Sequence, residues 1–313
     1  MHIPDGFLDL QSAAAAGAIS AAALGISLRR LNRTLPRKKV PLMGLAGAFV
    51  FAAQMVNFPV AGGTSGHLIG GVLAAVLLGP AAGVVVITAV LIVQCLLFAD
   101  GGILALGANV FNMGVIGSAG GYAVYRGVRL LFRDERGKYL AVVVASWCST
   151  VLAAACCAGE LAWSGTVPWT SAFPAMANVH MLIALGEAVI SALVLSALYA
   201  VRPDIVADTP APARTGMDLA MYGGLIATGV LLFISPFASR WPDGLESVAA
   251  RLGFESRAVT HPLLSSPLEG YTIPGLGSAV AATVIAGLAG TCVVFAGGYL
   301  LARALSHRGR NAA

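Results

Sequence analysis

Long apolar runs, repeated along almost the whole chain, limit what this sequence can fold into more than any other feature. Stretches of about 20 residues, nearly free of charge, lie near 11–28, 41–58, 81–98, 103–125, 139–160, 176–200, 218–236 and 276–302, with a shorter one at 67–79. In lipid such runs satisfy their backbone polar groups only as helices or closed barrels. Their apolarity is continuous rather than alternating, which excludes a β-barrel. The chain is 58% hydrophobic and 11% charged over 313 residues, whereas soluble domains carry about 25% charge. Its 38 glycines suit membrane helices that pack closely. The expected fold is an all-α, polytopic membrane bundle.

The 19 Lys and Arg residues test the span count. Arg29, Arg30, Arg33, Arg37, Lys38 and Lys39 fall between the first and second runs, and Arg126, Arg129, Arg133, Arg136 and Lys138 between the fifth and sixth. Arg202 and Arg214 follow the seventh run, and Arg303, Arg308 and Arg310 the ninth. Nine spans with the N-terminus outside place all of these in the cytoplasm and leave only Arg240, Arg251 and Arg257 outside. Dropping the short run 67–79 would scramble that parity. The net charge of +5 therefore marks sidedness in a lipid bilayer rather than nucleic-acid binding. Residues 1–202 form a unit of about seven spans. The Pro/Ala-rich stretch 203–216 reads as a linker, and 217–313 as a two-helix unit flanking an external loop. No internal repeat suggests inverted halves.

The five cysteines, Cys95, Cys148, Cys156, Cys157 and Cys292, all lie in apolar runs without a C-x-x-C pair. They are expected to be small buried hydrophobes rather than disulfides or thiolate ligands. The opening MHIPDGFLDL has no basic stretch before an apolar run, and Asp5 and Asp9 interrupt it. It does not read as a signal peptide, so the first residues are expected to be retained.

Five histidines occur. His307 belongs to a basic tail, SHRGR, and His261 to the external loop beside Pro262. His67 lies in GGTSGHLIGG, glycine-rich backbone at a span mouth. Such backbone persists at membrane depth only where it is buried or lines a cavity. Alone, His67 reads first as a hydrogen-bonded interfacial histidine. His2 alters that balance. The Met1 amine, the backbone nitrogen of His2 and its imidazole can close two fused chelate rings in one plane, and His67 can supply a fourth nitrogen. Four nitrogens in a plane suit Ni²⁺ or Cu²⁺, and Co²⁺ tolerates them, whereas Zn²⁺ prefers a tetrahedron.

MHIPDGFLD, GTSGHLIGG at 63–71 and QCLLFADGGILALGANVFNMG at 94–114 together resemble the CbiM/NikM substrate-binding component of energy-coupling-factor cobalt/nickel transporters, over about 1–202. The resemblance implies the metal ligands Met1, His2 and His67, the transport of Ni²⁺ or Co²⁺, and partners comprising a coupling transmembrane subunit and two ATPase subunits. WPDGLESVA at 241–249 resembles the PDGLE segment of the NikN accessory subunit, which implies a fused NikMN arrangement. The C-terminal unit offers no obvious ligand cluster and is expected to promote loading or assembly rather than to hold metal.

Polar residues within the runs include Gln94, Asp100, Asn109, Asn112, Asn178, His180 and Glu187. Gln94 and Asn109 are candidates to orient His67 or the N-terminal segment. His180 and Glu187, seven apart on one helical face, could satisfy each other. Ala13, Gly17, Ala21 and Gly25 form a small-residue strip suited to close helix packing. It could serve within the bundle or, as the resemblance favours, against the coupling subunit.

No G-x-x-x-x-G-K-[ST] loop is present, so ATP hydrolysis would belong to other subunits and the chain is not expected to be an enzyme. An intramembrane metalloenzyme lacks H-E-x-x-H. The alternative is a self-sufficient metal channel or secondary transporter. It would need a relay of acidic residues, for which Glu160 and Glu187 are the main candidates.

Overall fold

The computed structural model describes residues 1–201, 229, 238–259 and 265–308. The linker 203–216 and, apart from Gly229, the run 218–236 lie outside these residues, as does His261. Ten α-helices are used below: α1 (Leu10–Thr34), α2 (Val40–Gln54), α3 (Gly71–Leu78), α4 (Pro80–Phe98), α5 (Leu106–Asn109), α6 (Gly121–Leu131), α7 (Glu135–Trp163), α8 (Trp169–Val201), α9 (Gly244–Leu252) and α10 (Ala279–Arg308). A π-helical stretch, Val110–Gly120, joins α5 to α6. Among the described residues, α1, α4, α7, α8 and α10 are long and apolar enough to cross a membrane.

The run 67–79 departs from a plain helical span. Helix α2 stops at Gln54, and a hairpin follows, β1 (Phe58–Val60) pairing antiparallel with β2 (Thr64–Gly66). Gly62 and Gly63, at φ 82° and 71°, supply the left-handed backbone of its turn. The helix begins only at Gly71 and lasts eight residues, about 12 Å at 1.5 Å per residue. Alone it is too short for a hydrocarbon core of about 30 Å. The extended stretch before it carries donors and acceptors that no helix satisfies, and buried side chains take them. Glu187 on α8 accepts from the backbone nitrogens of Ile69 and Gly70 at 2.5 and 2.9 Å, and Gln54 Nε2 donates to the Ile69 carbonyl at 2.9 Å. That is how irregular backbone persists in an apolar bundle. Glu187 is therefore not paired with His180, whose Nδ1 is 2.8 Å from the Met176 carbonyl.

The first nine residues run into the bundle rather than away from it, and Met1, Ile3 and Phe7 are buried. Asp9 then caps α1 by accepting from Ser12 N. The small-residue strip on α1 divides. Ala13 is buried, and Gly17 lies so close to Gly107 that a methyl on the latter would strike its Cα; Ser20 Oγ donates to the Gly107 carbonyl at 2.7 Å. Ala21 is exposed and Gly25 has open space beside it. The first half of the strip thus serves the bundle itself.

Helix α10 packs along α2, where Gly44 and Gly47 leave room for Phe295 and Val294. Of the cysteines, Cys95 and Cys157 are buried and all five are free. Cys148 and Cys156 are half-buried and Cys292 is exposed on α10, so the expectation of burial holds in full only for Cys95 and Cys157.

Candidate metal centre

The N-terminal segment is held as a plug by groups from four directions. Asn109 clamps Ile3 on both sides of its peptide unit, accepting from its N–H at 2.7 Å and donating Nδ2 to its carbonyl at 3.0 Å. Gly102 N donates to the same carbonyl at 2.9 Å. Asp5, from the Pro4-Asp5-Gly6 turn, accepts from the backbone of Ile103, Leu104 and Ala105. Thr166 Oγ1 donates to the Phe7 carbonyl, and Val259 N to the Asp5 carbonyl. A clamp of this kind sets where the first two residues point.

They point at His67. The Met1 amine nitrogen is 2.7 Å from His67 Nε2, and the rings of His2 and His67 stack with centroids 5.0 Å apart and planes 23° from parallel. All three residues are buried. His67 Nδ1 is 3.2 Å from the Leu68 carbonyl. That contact, made through a protonated Nδ1, fixes the tautomer that leaves Nε2 free to ligate. Burial, then the positive charge of the Met1 amine, push the His67 imidazole well below its ordinary range; burial likewise lowers His2. Both shifts favour the neutral ring, the form a metal needs.

His2 Nδ1 is 3.1 Å from Asp100 Oδ1, and Tyr271 Oη donates to Asp100 Oδ2 at 2.6 Å. Closing a six-membered ring onto the His2 backbone nitrogen requires Nδ1, so that contact must be given up on chelation. Gln94, fully buried on α4, lies against His2 and Tyr271. Neither of its amide atoms has a hydrogen bond among the described residues. Both orienting candidates therefore reach the N-terminal segment: Asn109 through the backbone of Ile3, Gln94 through the ring of His2.

Sequence reasoning named Asp100 and Glu187 without their partners, and overlooked a third carboxylate altogether. Asp100 holds the His2 ring, and Glu187 holds the segment that carries His67. The third, Asp243, comes from the C-terminal unit, with Oδ2 2.7 Å from the Met1 amine. Burial raises its carboxyl pKa, but the charge of the Met1 ammonium, the His67 ring and the hydrogen bonds from the Met1 amine and the Glu246 backbone together outweigh burial and hold it well below the usual range. The local sequence Pro242-Asp243-Gly244-Leu245-Glu246 explains the contact. Asp243 Oδ1 accepts from Leu245 N and Glu246 N, while Glu246 returns a bond to Asp243 N, a complete capping box. Gly244 packs so closely that a Cβ would stand 2.7 Å from the His180 ring. Ser65 donates backbone N to Pro242 O at 2.8 Å, and Thr64 Oγ1 meets Ser247 Oγ at 2.8 Å. The signal was available as an N-cap pattern; its partner, the other end of the chain, was not.

A small cavity of about 10 Å³, near the room one water needs, is lined by Met1, His67, Thr150, His180, Asp243 and Gly244 among others. Among the described residues no group of three His, Cys, Asp or Glu side chains is placed to hold a metal.

The family model for the CbiM cobalt uptake substrate-specific transmembrane region matches residues 2–205, and that for the PDGLE domain matches 217–307. The chain belongs to the CbiM family. It is the substrate-specific component of a cobalt/nickel uptake transporter, a multi-pass membrane protein and a member of a transporter complex rather than an enzyme. This CbiM-family chain is 40% identical over 305 residues to one of Archaeoglobus fulgidus that bears the name of a fused nickel transport protein, NikMN, covering 97% of this chain and 98% of that one. It is 32% identical to the fused nickel transport protein NikMN of Rhodobacter capsulatus, with 98% and 99% covered. The crystal structure of a truncated transition metal transporter superposes with a TM-score of 0.58 at 36% identity, covering 64% of this chain and 99% of that one.

Proposed function

We propose that the chain captures Ni²⁺, in preference to Co²⁺, through the Met1 amine, the His2 backbone nitrogen and imidazole, and His67. It then passes the ion inward within an ATP-driven importer, whose coupling transmembrane subunit and two ATPase subunits are separate chains. Residues 1–202 form the metal-binding unit, joined by 203–216 to the accessory unit 217–313. The observation that carries this reading is the 2.7 Å approach of the Met1 amine to His67 Nε2, which brings the two ends of the nitrogen set within ligand spacing of each other. Asn109 and Gln94 keep the plug and the His2 ring in place. Planar nitrogen ligation favours Ni²⁺. The metal replaces a proton on the amine and another on the peptide nitrogen, so affinity falls with acidity.

An N-terminal extension turns the amine into an amide and removes it from the set. Intact mass first establishes that the purified chain starts at Met1. Elemental analysis should then find metal in native and C-terminally tagged protein, and none in the N-terminally extended, His2→Ala or His67→Ala forms. Full occupancy in the extended form would remove the amine from the site. Uptake in cells lacking the ATPase subunits would favour the alternative, a self-sufficient channel or secondary transporter.

A further inference from the structure

We infer that Tyr271, in the external loop of the C-terminal unit, is a positioning residue for His2 and acts through Asp100. The inference rests on the metal reading of Met1, His2 and His67, and adds no ligand to it. Helix α4 ends at Phe98, and the last turn of a helix leaves carbonyls without helical partners. Asp100 N donates to the Gln94 carbonyl at 3.1 Å. The carbonyls of Leu96 and Leu97 are taken from the C-terminal unit, by Ser266 Oγ at 3.1 Å and Leu268 N at 2.9 Å. The chain then turns over Glu269–Tyr271, where Tyr271 has φ 57°, a backbone that residues with a side chain seldom adopt. The turn lays the tyrosine ring on Phe98, with centroids 4.7 Å apart and planes 24° from parallel, and delivers Oη to Asp100 Oδ2 at 2.6 Å. Such backbone persists only where its surroundings fix it, and it concentrates at working sites.

The other oxygen of Asp100 gives this hydroxyl its use. Oδ1 is 3.1 Å from His2 Nδ1, while His2 Nε2 has no hydrogen bond among the described residues. The nitrogen set needs Nδ1. Half a turn of an imidazole about its Cβ–Cγ bond carries Nδ1 to the far side of the ring and brings Nε2 to the side that Nδ1 left. The carboxylate need not move. It accepts from Nδ1–H in the metal-free protein and from Nε2–H once Nδ1 is on the ion. A ligand histidine that donates its second nitrogen to a carboxylate is fixed in direction and is the more basic ligand. The Asp100 side chain is 26% exposed, so with no second bond it can turn out to water. The Tyr271 hydroxyl holds it inward, and the C-terminal unit thereby sets the direction of a ligand it does not carry.

The test is chelator competition for Ni²⁺ on the full chain, with the nickel absorption spectrum recorded alongside. Tyr271→Phe keeps the ring on Phe98 and loses only the hydroxyl. It should bind metal about tenfold more weakly, the lower end of what a lost supporting contact costs a metal site, and keep the native spectrum. Asp100→Ala should weaken binding at least as much. The double variant should be no weaker than Asp100→Ala alone, because the hydroxyl acts through that carboxylate. Ser266→Ala removes one bond from the docked loop but keeps the hydroxyl, and should resemble native protein. Native affinity in Tyr271→Phe would overturn the inference. So would a double variant in which the two losses multiply, since Tyr271 would then act apart from Asp100. A loss in Ser266→Ala equal to that in Tyr271→Phe would assign the effect to docking and refute the positioning role. His67→Ala separates the two readings. Metal retained there refutes the nitrogen site itself, whereas metal lost there with Tyr271→Phe at native affinity refutes only the role of Tyr271.

Discussion

Replacing Glu187 separates a segment held in place by side-chain bonds from one held by chain connectivity alone. This carboxylate, 1% exposed, is the acceptor for two consecutive backbone N–H groups, those of Ile69 and Gly70, two and three residues after His67. Glu187→Ala leaves both donors buried without a partner. At about 1–3 kcal/mol for each unsatisfied group, the loss is roughly 2–6 kcal/mol. Glu187→Gln keeps the volume and one acceptor, but its amide N–H₂ faces the second donor, so the loss should fall near half of that. If the segment stays docked in only a fraction of molecules, apparent metal affinity drops by that fraction. Each 1.4 kcal/mol not recovered by rearrangement weakens binding tenfold. Chelator competition gives the affinity, and thermal unfolding in detergent gives the stability. The expected order is native, then Gln, then Ala in both. Affinity and unfolding temperature in Glu187→Ala equal to native would show that the 64–70 backbone finds other partners, and the argument from Ile69 and Gly70 would be refuted.

Asn109→Ala removes both bonds to Ile3 and should loosen the plug by about 1–3 kcal/mol, one donor being stranded while Gly102 still serves the carbonyl; faster proteolysis of the N-terminal segment in the metal-free protein is the readout. Gly107→Leu should disrupt the contact with Gly17 and lower the unfolding temperature, whereas Gly25→Ala, with open space beside it, should leave it unchanged. His67 is lowered from an ordinary value of 6.5, so below that pH the unfolded chain binds more protons than the folded one. Its contribution is complete above about pH 6.5 and is lost as the pH falls further; thermal unfolding from about pH 7.5 to 5.5 should decline less in His67→Gln than in native protein.

The run of residues 94–114 shows how far patterns reach. Its apolarity marks a span and a following helix, and both appear, as α4 and as the continuous α5–π–α6 stretch. That Asn109 would clamp Ile3 could not be read from 94–114, because the partner is 106 positions away. The GTSGHLIGG block is a similar case. Its glycines announced irregular backbone, while the acceptor for its N–H groups came from α8.

The sequence by itself determined the membrane bundle and the likeness to metal-uptake components, and it singled out Met1, His2 and His67 as the trio proposed to hold the metal. Apolar run length, the placement of basic residues and the reach of an N-terminal chelate are local properties, set by the neighbours of each residue along the chain. Only the tertiary structure decided which carboxylates serve the centre. Asp100 turns to His2, Glu187 turns away from His180 to hold Ile69 and Gly70, and Asp243 crosses from the far end of the chain to the Met1 amine. A carboxylate in an apolar setting must find a cation or buried N–H groups, and which of these it meets depends on helix packing that brings residues hundreds of positions apart within 3 Å.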